Sequence, residues 1–449
     1  MVSEKDIALL EKRLLDINSI QPEAYEGFDV KRGLRNADGT GVIAGITNIS
    51  DVHGYVLYEG NKLPEEGLLR YRGYDIYDLL DNKTADRRFR FEEVAYLLLM
   101  GDLPTRSELD HFISVLDSER ELPDGFTATK IMRDTPPDAM NALSRSVLML
   151  YSYDEDCEKR SYGHELKTAI SLISRLPRIM VLTYFAMQAR YHGESMIMHR
   201  FIPGQSTAET ILSMLRPSRE FTPEEARMLD IMLCLHSEHG GGNNSTFTCR
   251  TLSSSDTDAY SAYAGSIGSL KGRKHGGANH QVLAMQKELK ESVKNWDNDD
   301  EVADYLAKIA NKEAYDKSGL VYGMGHAVYT LSDPRAVICK QFAQQLAAGT
   351  EFEAEYKLLE SVERLAPEVI SRVRGTSKDM CANVDMYSGF VYSMMGIPDS
   401  LMTPLFACAR MTGWAAHRFE EIISAKRIIR PAYKPSSIER RQYLPIEER

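Results

Sequence analysis

The sequence predicts a mostly α protein with room for two domains. Segments of helical periodicity recur along the chain, strand signals are few, and 449 residues exceed what one domain ordinarily uses. In chain order, "GVIAGITNISDVHGYVLYEG", within 40–60, is the best strand region, because apolar and polar residues alternate between turn residues. "TPEEARMLDIMLCLHSEHG" (222–240) is the clearest helix. Thr222 can cap it, Pro223 suits the first helical position, and Glu225 completes a capping box. Its apolar positions 228, 229, 231–233 and 235 leave hardly a polar side, which places it in the middle of a large protein, and Gly240 is a natural stop. "DEVADYLAKIANKEAYDKS" (300–318) and "EFEAEYKLLESVERLAPEVISRV" (351–373) are amphipathic and more exposed, with the short strand signal "GLVYG" (319–323) between them. "TPLFACARMTGWAAHRFEEIISAK" (403–426) starts at Thr403 and Pro404, and Ala407, Ala409, Gly413 and Ala416 let another helix come close. The last twenty residues, rich in Pro, Tyr and Arg, read as an extended tail.

Bulk composition narrows the function classes. Hydrophobic content of 43% and charged content of 27% are ordinary for a globular protein. The net charge of −11 argues against a general nucleic-acid surface, while an anionic ligand requires a local arginine cluster. No apolar run approaches the roughly 20 residues of a membrane span. The N-terminal "MVSEKDIALLEKRLLDI" carries acidic residues throughout and resembles neither a secretory signal nor a transit peptide. The six cysteines form no C-x-x-C pair, which suggests buried thiols in a reducing compartment. The expectation is a cytoplasmic protein.

Five motifs carry candidate chemistry. In "LHSEHGGGNNST" (235–246), His236 and His239 lie three apart in what reads as the last helical turn, followed by glycines that let the backbone pass close to a ligand or a helix. Histidines there either serve the free carbonyls of the helix end or, less readily, a metal. "GSLKGRKHGGANHQ" (268–281) sets His275 between a basic run and a glycine pair, as a cleft residue or in a solvated loop. "GMGHAVYTLSDPRA" (323–336) holds a partial dinucleotide fingerprint and places His326 and Arg335 near glycines, suited to a carboxylate beside a carbonyl or to a surface turn. In "CANVDMYSG" (381–389), Asp385 keeps apolar company, as a base of raised pKa or a helix cap. Arg410 in an apolar helix needs an anion, and Arg430 precedes Pro431. Together these residues suit proton transfer beside a carbonyl on a polyanionic substrate.

In this order the segments resemble the citrate synthase family. The resemblance begins at "LLRYRGYDIYDLL" (68–80) and is dense from 235 to 431, through "HSEHGGGNNSTF", "KHGGANHQV", "GMGHAVYTLSDPRA", "NVDMYSGF", "FACARMTGWAAH" and "IIRPAY". It implies a citrate synthase-like, two-domain helical fold: a large domain from 1–276 and 392–449, and a small acyl-CoA-binding domain, 277–391, that closes over the substrates. It also implies a homodimer and the condensation of acetyl-CoA with oxaloacetate to citrate and free CoA. Asp385 matches the base that deprotonates the acetyl methyl, His275 the donor to the thioester carbonyl, and His326 the residue that polarises the oxaloacetate carbonyl. His239, Arg335 and Arg410 match further oxaloacetate contacts, and Arg430 an arginine reaching the neighbouring subunit's site. Val321, Gly323 and Met324 match the adenine loop and Lys378 a CoA-phosphate lysine. No metal or resident cofactor is implied.

Two departures stand out. Glu238 replaces the aspartate of many members, and Thr330 replaces an arginine that meets a CoA phosphate in some. Three rivals remain: a 2-methylcitrate synthase using propionyl-CoA, a metal-dependent hydrolase built on His236, Glu238 and His239, and an inactive helical scaffold.

Overall fold

A computed structural model describes residues 20–25, 28–59, 61–80, 89–375, 379–425, 427–435 and 442–448, with scattered positions before residue 20. The chain forms two compact units. The first joins Met1–Gly45 to Ile429–Arg449. Its described residues form short 3-10 turns at Pro22–Tyr25 and Arg32–Leu34 and an isolated bridge between Arg35 and Gly41. Arg430 lies exposed in this unit, in a stretch without regular structure.

The second unit, Ile46–Ile428, holds the only sheet among the described residues, in the order β1-β2-β3. Strands β1 (Ser50–Tyr58) and β2 (Asn61–Tyr71) pair antiparallel, and β3 (Tyr74–Asp75) pairs with β2. The strand signal of 40–60 therefore narrows to its second half. The residues before it are committed elsewhere: the Asn48 N–H donates to Glu420 Oε1, and the Ile49 N–H to Thr47 Oγ1.

The helices that build the core and the site are α1 (Phe91–Met100), α2 (Ala139–Leu150), α3 (Tyr162–Met187), α4 (Thr207–Leu215), α5 (Pro223–Ser237), α6 (Asn244–Ser253), α7 (Ala259–Leu270), α8 (Ala278–Ser292), α9 (Asp299–Ala310), α10 (Pro334–Ala347), α11 (Glu353–Arg374), α12 (Asp385–Met394) and α13 (Asp399–Ser424). The capping box of α5 forms as the sequence implies: Thr222 Oγ1 accepts from Glu225 N, and the Glu225 carboxylate accepts from Thr222 N. Helix α13 starts four residues earlier than Thr403, after Pro398, with Asp399 meeting the positive end of the helix dipole. Pro404 is thus inside the helix. "GLVYG" is not a strand. Gly323 and Gly325 adopt φ of 87° and 86°, which ends extension there and leaves only a bridge between Met324 and Ala382.

Helix α13 is the axis of the unit. It is buried from Leu401 to Arg418 and packs on α1, α3, α5 and α6. Gly413 permits the approach to α5, since a Cβ there would lie 2.3 Å from Ser237 O and 2.4 Å from Glu238 Oε2. Helix α3, with its continuation to His192, is long and apolar enough to cross a membrane, against the sequence expectation. Arg175, Pro177 and Arg178 interrupt its apolar run, so the signal emerges only as an average over a stretch that includes both arginines. Most of it is buried against its neighbours, and Arg418 of α13 reaches its Glu165 through Nε and Nη2 at 2.8 and 2.7 Å.

Several helix starts are capped from a distance. Asp230 of α5 accepts the N–H groups of Arg90 and Phe91 at the start of α1, at 2.7 and 3.0 Å. Glu92 of α1 accepts from Thr207 N at the start of α4. Burial, and then the nearby Glu92 carboxylate, push the Asp230 carboxyl above the usual carboxylate range.

Truncation of Glu165 to alanine leaves the Arg418 guanidinium buried without its carboxylate. We expect a loss of about 3–5 kcal/mol, read as a lower urea midpoint; an unchanged midpoint would show that Ser253 and Thr257 satisfy Arg418 on their own.

Candidate active site

The site is built where the end of α5 meets α13. The last carbonyls of α5 are satisfied by side chains from other elements. Tyr71 OH lies 3.1 Å from Cys234 O and 2.9 Å from Glu238 O, and Arg410 Nε donates to His236 O at 2.6 Å. The helix ends at Ser237, so His236 is helical and His239 lies beyond the end, not in the last turn. His236 packs on Phe406 with ring centroids 4.3 Å apart, whereas His239 Nε2 meets Tyr329 OH at 3.2 Å. Glu238 takes a third direction. Its Oε1 accepts from Ser50 Oγ and pairs with His417 Nε2, each at 2.9 Å. The three side chains diverge, which removes the basis for a shared metal.

Arg410 is fully buried, and its Nη1 and Nη2 find no hydrogen-bond acceptor among the described residues. Burial lowers its pKa to about 10, against the pull of Glu238. Burial alone would raise the Glu238 pKa, but the His417 ring, the Arg410 charge and the Ser50 hydroxyl bring it down to about 2. Arg335, at the start of α10, is also buried. Burial opposes its charge, but Asp333 holds the pKa above its ordinary value by accepting from Nε and Nη2 at 3.1 and 2.7 Å. One guanidinium is therefore neutralised by a fixed carboxylate, and the other keeps two donors for an anion.

His326 Nδ1 accepts the N–H groups of Val328 and Tyr329 at 3.0 and 3.1 Å, which assigns its ring proton to Nε2. That nitrogen lies 3.5 Å from Arg335 Nη2, so two donors converge where one oxygen can accept from both. The rings of His239, His326 and Tyr329 pack together, with centroids 4.7–5.5 Å apart. Burial, then the positive charge of Arg335, holds His239 well below the usual imidazole range, so it is neutral. His275 is lowered to about 4 by burial and by the Arg410 and Arg335 charges, and its Nε2 meets Ser245 Oγ at 3.0 Å.

Asp385 is the first residue of α12, after the N-cap Val384, rather than a cap itself. Its position is set by the glycine loop before His326. Asn383 N donates to Gly323 O and Asn383 Nδ2 to Gly325 O, each at 2.9 Å, and Asn383 Oδ1 accepts from Asp385 N. Desolvation raises the Asp385 carboxyl to about 6, opposed by the Arg335 charge and by Asn279.

The described family "Citrate synthase, C-terminal domain" matches residues 36–432. The chain belongs to the citrate synthase family. It is 35% identical to a citrate synthase of Acidithiobacillus ferridurans, over 91% of this chain and 97% of that protein. It is 32% identical to a 2-methylcitrate synthase of Shewanella oneidensis, over 85% of this chain and 92% of that protein. A citrate synthase of Thermoplasma acidophilum, solved in a ternary complex with carboxymethyl coenzyme A and oxaloacetate, superposes with a TM-score of 0.75 at 26% identity, covering 94% of this chain and 99% of that one. Membership makes the chain an acyltransferase with the helical citrate synthase fold.

Of the residues the citrate synthase resemblance points to, His239, His275, His326, Arg335, Arg410 and Asp385 share one electrostatic neighbourhood in the second unit. Val321, Gly323 and Met324 belong to the loop laced to the Asp385 segment. Arg430 lies in the first unit, and Lys378 lies outside the described residues. Sequence reasoning missed Asp333, Ser245, Asn279 and Tyr329. Their signal was adjacency: each stands within a motif already singled out.

The raised Asp385 pKa has a stability consequence. A carboxyl that is harder to ionise in the folded state gives stability that is fully present below the unfolded value near 3.8 and lost as pH rises through about 6. Asp385→Asn is therefore expected to match the wild type near pH 4 and exceed it by roughly 1–3 kcal/mol at pH 7, by denaturant titration at both pH values. Equal stability at pH 7 would mean that the carboxylate is not desolvated.

Proposed function

We propose that this chain condenses acetyl-CoA with oxaloacetate and hydrolyses the resulting thioester to citrate and CoA. The observation that carries the reading is the fully buried Arg410, two of whose nitrogens find no acceptor among the described residues, beside neutral His239 and His275. Such a guanidinium suits a carboxylate of a small diacid, with Arg335 and His239 as further contacts. Asp385 takes a proton from the acetyl methyl while neutral His275 donates to the thioester oxygen, so the enol forms without a free carbanion. The enol carbon attacks the keto carbon of oxaloacetate, whose oxygen gains the proton that His326 Nε2 directs to it. Water then cleaves the citryl thioester, releasing the CoA thiol.

The same reading takes 277–391 as a small domain that closes over the substrates, with Val321, Gly323, Met324 and Lys378 on CoA. It includes a homodimer in which Arg430 completes the neighbouring site, consistent with exposed Leu148 and Met149 at the end of α2. A cytoplasmic location is supported by six free cysteines. A 2-methylcitrate synthase using propionyl-CoA is the second reading, favoured by a relative almost as similar as the citrate synthases. One methylene changes binding by only about 1–3 kcal/mol.

The deciding measurement is CoA thiol release with oxaloacetate, comparing acetyl-CoA with propionyl-CoA, with and without EDTA. We expect an acetyl-CoA preference insensitive to chelator. A propionyl-CoA preference would select the second reading, and no release with either would overturn both. The kcat/KM should rise with pH through about 6, as Asp385 ionises, and His275→Ala should lose condensation while remaining folded. For the dimer, mixing Arg430→Ala with Asp385→Ala subunits should restore one active site in two; no recovery once mixed dimers have formed would overturn the shared site.

A further inference from the structure

Ser245 Oγ is a crowded junction. It is fully buried and has three neighbours: His275 Nε2 at 3.0 Å, Trp414 Nε1 at 3.2 Å and Asn243 Oδ1 at 2.9 Å. A hydroxyl has one proton and two lone pairs. The indole N–H only donates, so Trp414 occupies one lone pair. One proton and one lone pair remain for Asn243 and His275, and the two must take opposite roles.

With Asn243 Oδ1 toward Ser245, as here, the hydroxyl donates to Asn243 and accepts from His275 Nε2–H. The ring proton is then on Nε2, and Nδ1 is a bare lone pair that can accept but not donate. If the amide turns over, Nδ2 donates to Ser245, Ser245 donates to His275 Nε2, and the ring proton resides on Nδ1. The turn changes no shape, because the two ends of an amide are nearly isosteric. Nothing else ties the amide down: its only side-chain hydrogen bond among the described residues runs to Ser245, and it makes no capping bond to α6.

We propose that Asn243 is a positioning residue whose side-chain amide, through the Ser245 hydroxyl, selects the tautomer of His275. The arrangement seen here is the resting one, and the turned amide is the one that arms Nδ1–H. This rests on the proposed role of His275, because a neutral imidazole held at Nε2 by Ser245 reaches a thioester oxygen only through Nδ1. Trp414 makes the choice strict by removing the spare lone pair that would otherwise let Ser245 accept from both neighbours.

Two substitutions separate this from a structural role. Asn243→Asp keeps an N-cap residue for α6 but can only accept, so it holds Ser245 toward itself and His275 in the Nε2–H form. Asn243→Ala removes the preference and lets Ser245 turn to His275. At pH 8, far above the His275 value of about 4, we expect kcat with oxaloacetate and acetyl-CoA to fall at least thirtyfold in Asn243→Asp and only a few-fold in Asn243→Ala, with the oxaloacetate KM little changed in either. Long-range proton–nitrogen NMR of 15N-histidine-labelled, ligand-free enzyme should give a larger His275 Nδ1–H population in Asn243→Ala than in Asn243→Asp. The NMR comparison needs no turnover, so it tests the tautomer link even if the wild type releases no CoA, which would instead sink the functional reading. Equal tautomer populations in the two variants, or an alanine variant as damaged in kcat as the aspartate one, would overturn the proposal.

Discussion

Everything in the site depends on burying the Arg410 guanidinium where two helices meet. A charge of that size, taken out of water, must be fixed by local dipoles or it unfolds its surroundings. The His236 carbonyl, at the negative end of α5, accepts from Nε, and the Glu238 carboxylate lies close enough to oppose the loss of charge. The geometry requires α13 to approach the α5 terminus closely, which the missing side chain of Gly413 permits. Glu238 is itself held by Ser50 from β1 and His417 from α13, and His417 Nδ1 accepts from Arg250. Arg250 in turn pairs with Glu420 and Glu421. The Glu238 side chain is thus held by a network reaching from the first strand to the end of the last helix.

The same economy governs the core. Helices α1 and α4 begin on carboxylates lent by other helices, and α3 is pinned to α13 by a buried ion pair. Positions of the helix ends are therefore mutually determined. The site inherits that rigidity, since His239 follows α5 directly, Asp385 opens α12 and Arg335 opens α10.

What was legible in the sequence was local. The capping box at Thr222 and Glu225 closes within four residues, so it could be read. So could the motifs around His239, His275, His326 and Asp385, because each is a contiguous string. What could not be read involved partners far apart in the chain. Thr403 and Pro404 form a persuasive local start signal, yet α13 begins at Asp399 and Thr403 instead donates to Gly276 O. The "GLVYG" strand failed because Gly323 and Gly325 bend the chain to meet the Asp385 loop, a contact invisible in a one-dimensional pattern. The length of α3 is hidden in the sequence because its apolar stretch is broken by arginines that the folded core accommodates.

The two buried arginines also explain why histidines and an aspartate can share one cleft with useful protonation states. Each positive charge disfavours an imidazolium, so His239 and His275 stay neutral and can donate without first acquiring a proton. The Arg335 charge also favours the Asp385 carboxylate, yet desolvation is the larger influence and leaves its carboxyl near 6. A cleft with cations but little water thus pushes acid and base toward each other in strength. An anionic substrate that meets Arg335 would weaken the pull of that charge on Asp385 and bring its carboxyl still closer to the basicity that proton abstraction needs. Binding of the diacid and activation of the base would then be coupled through the charge that holds them both.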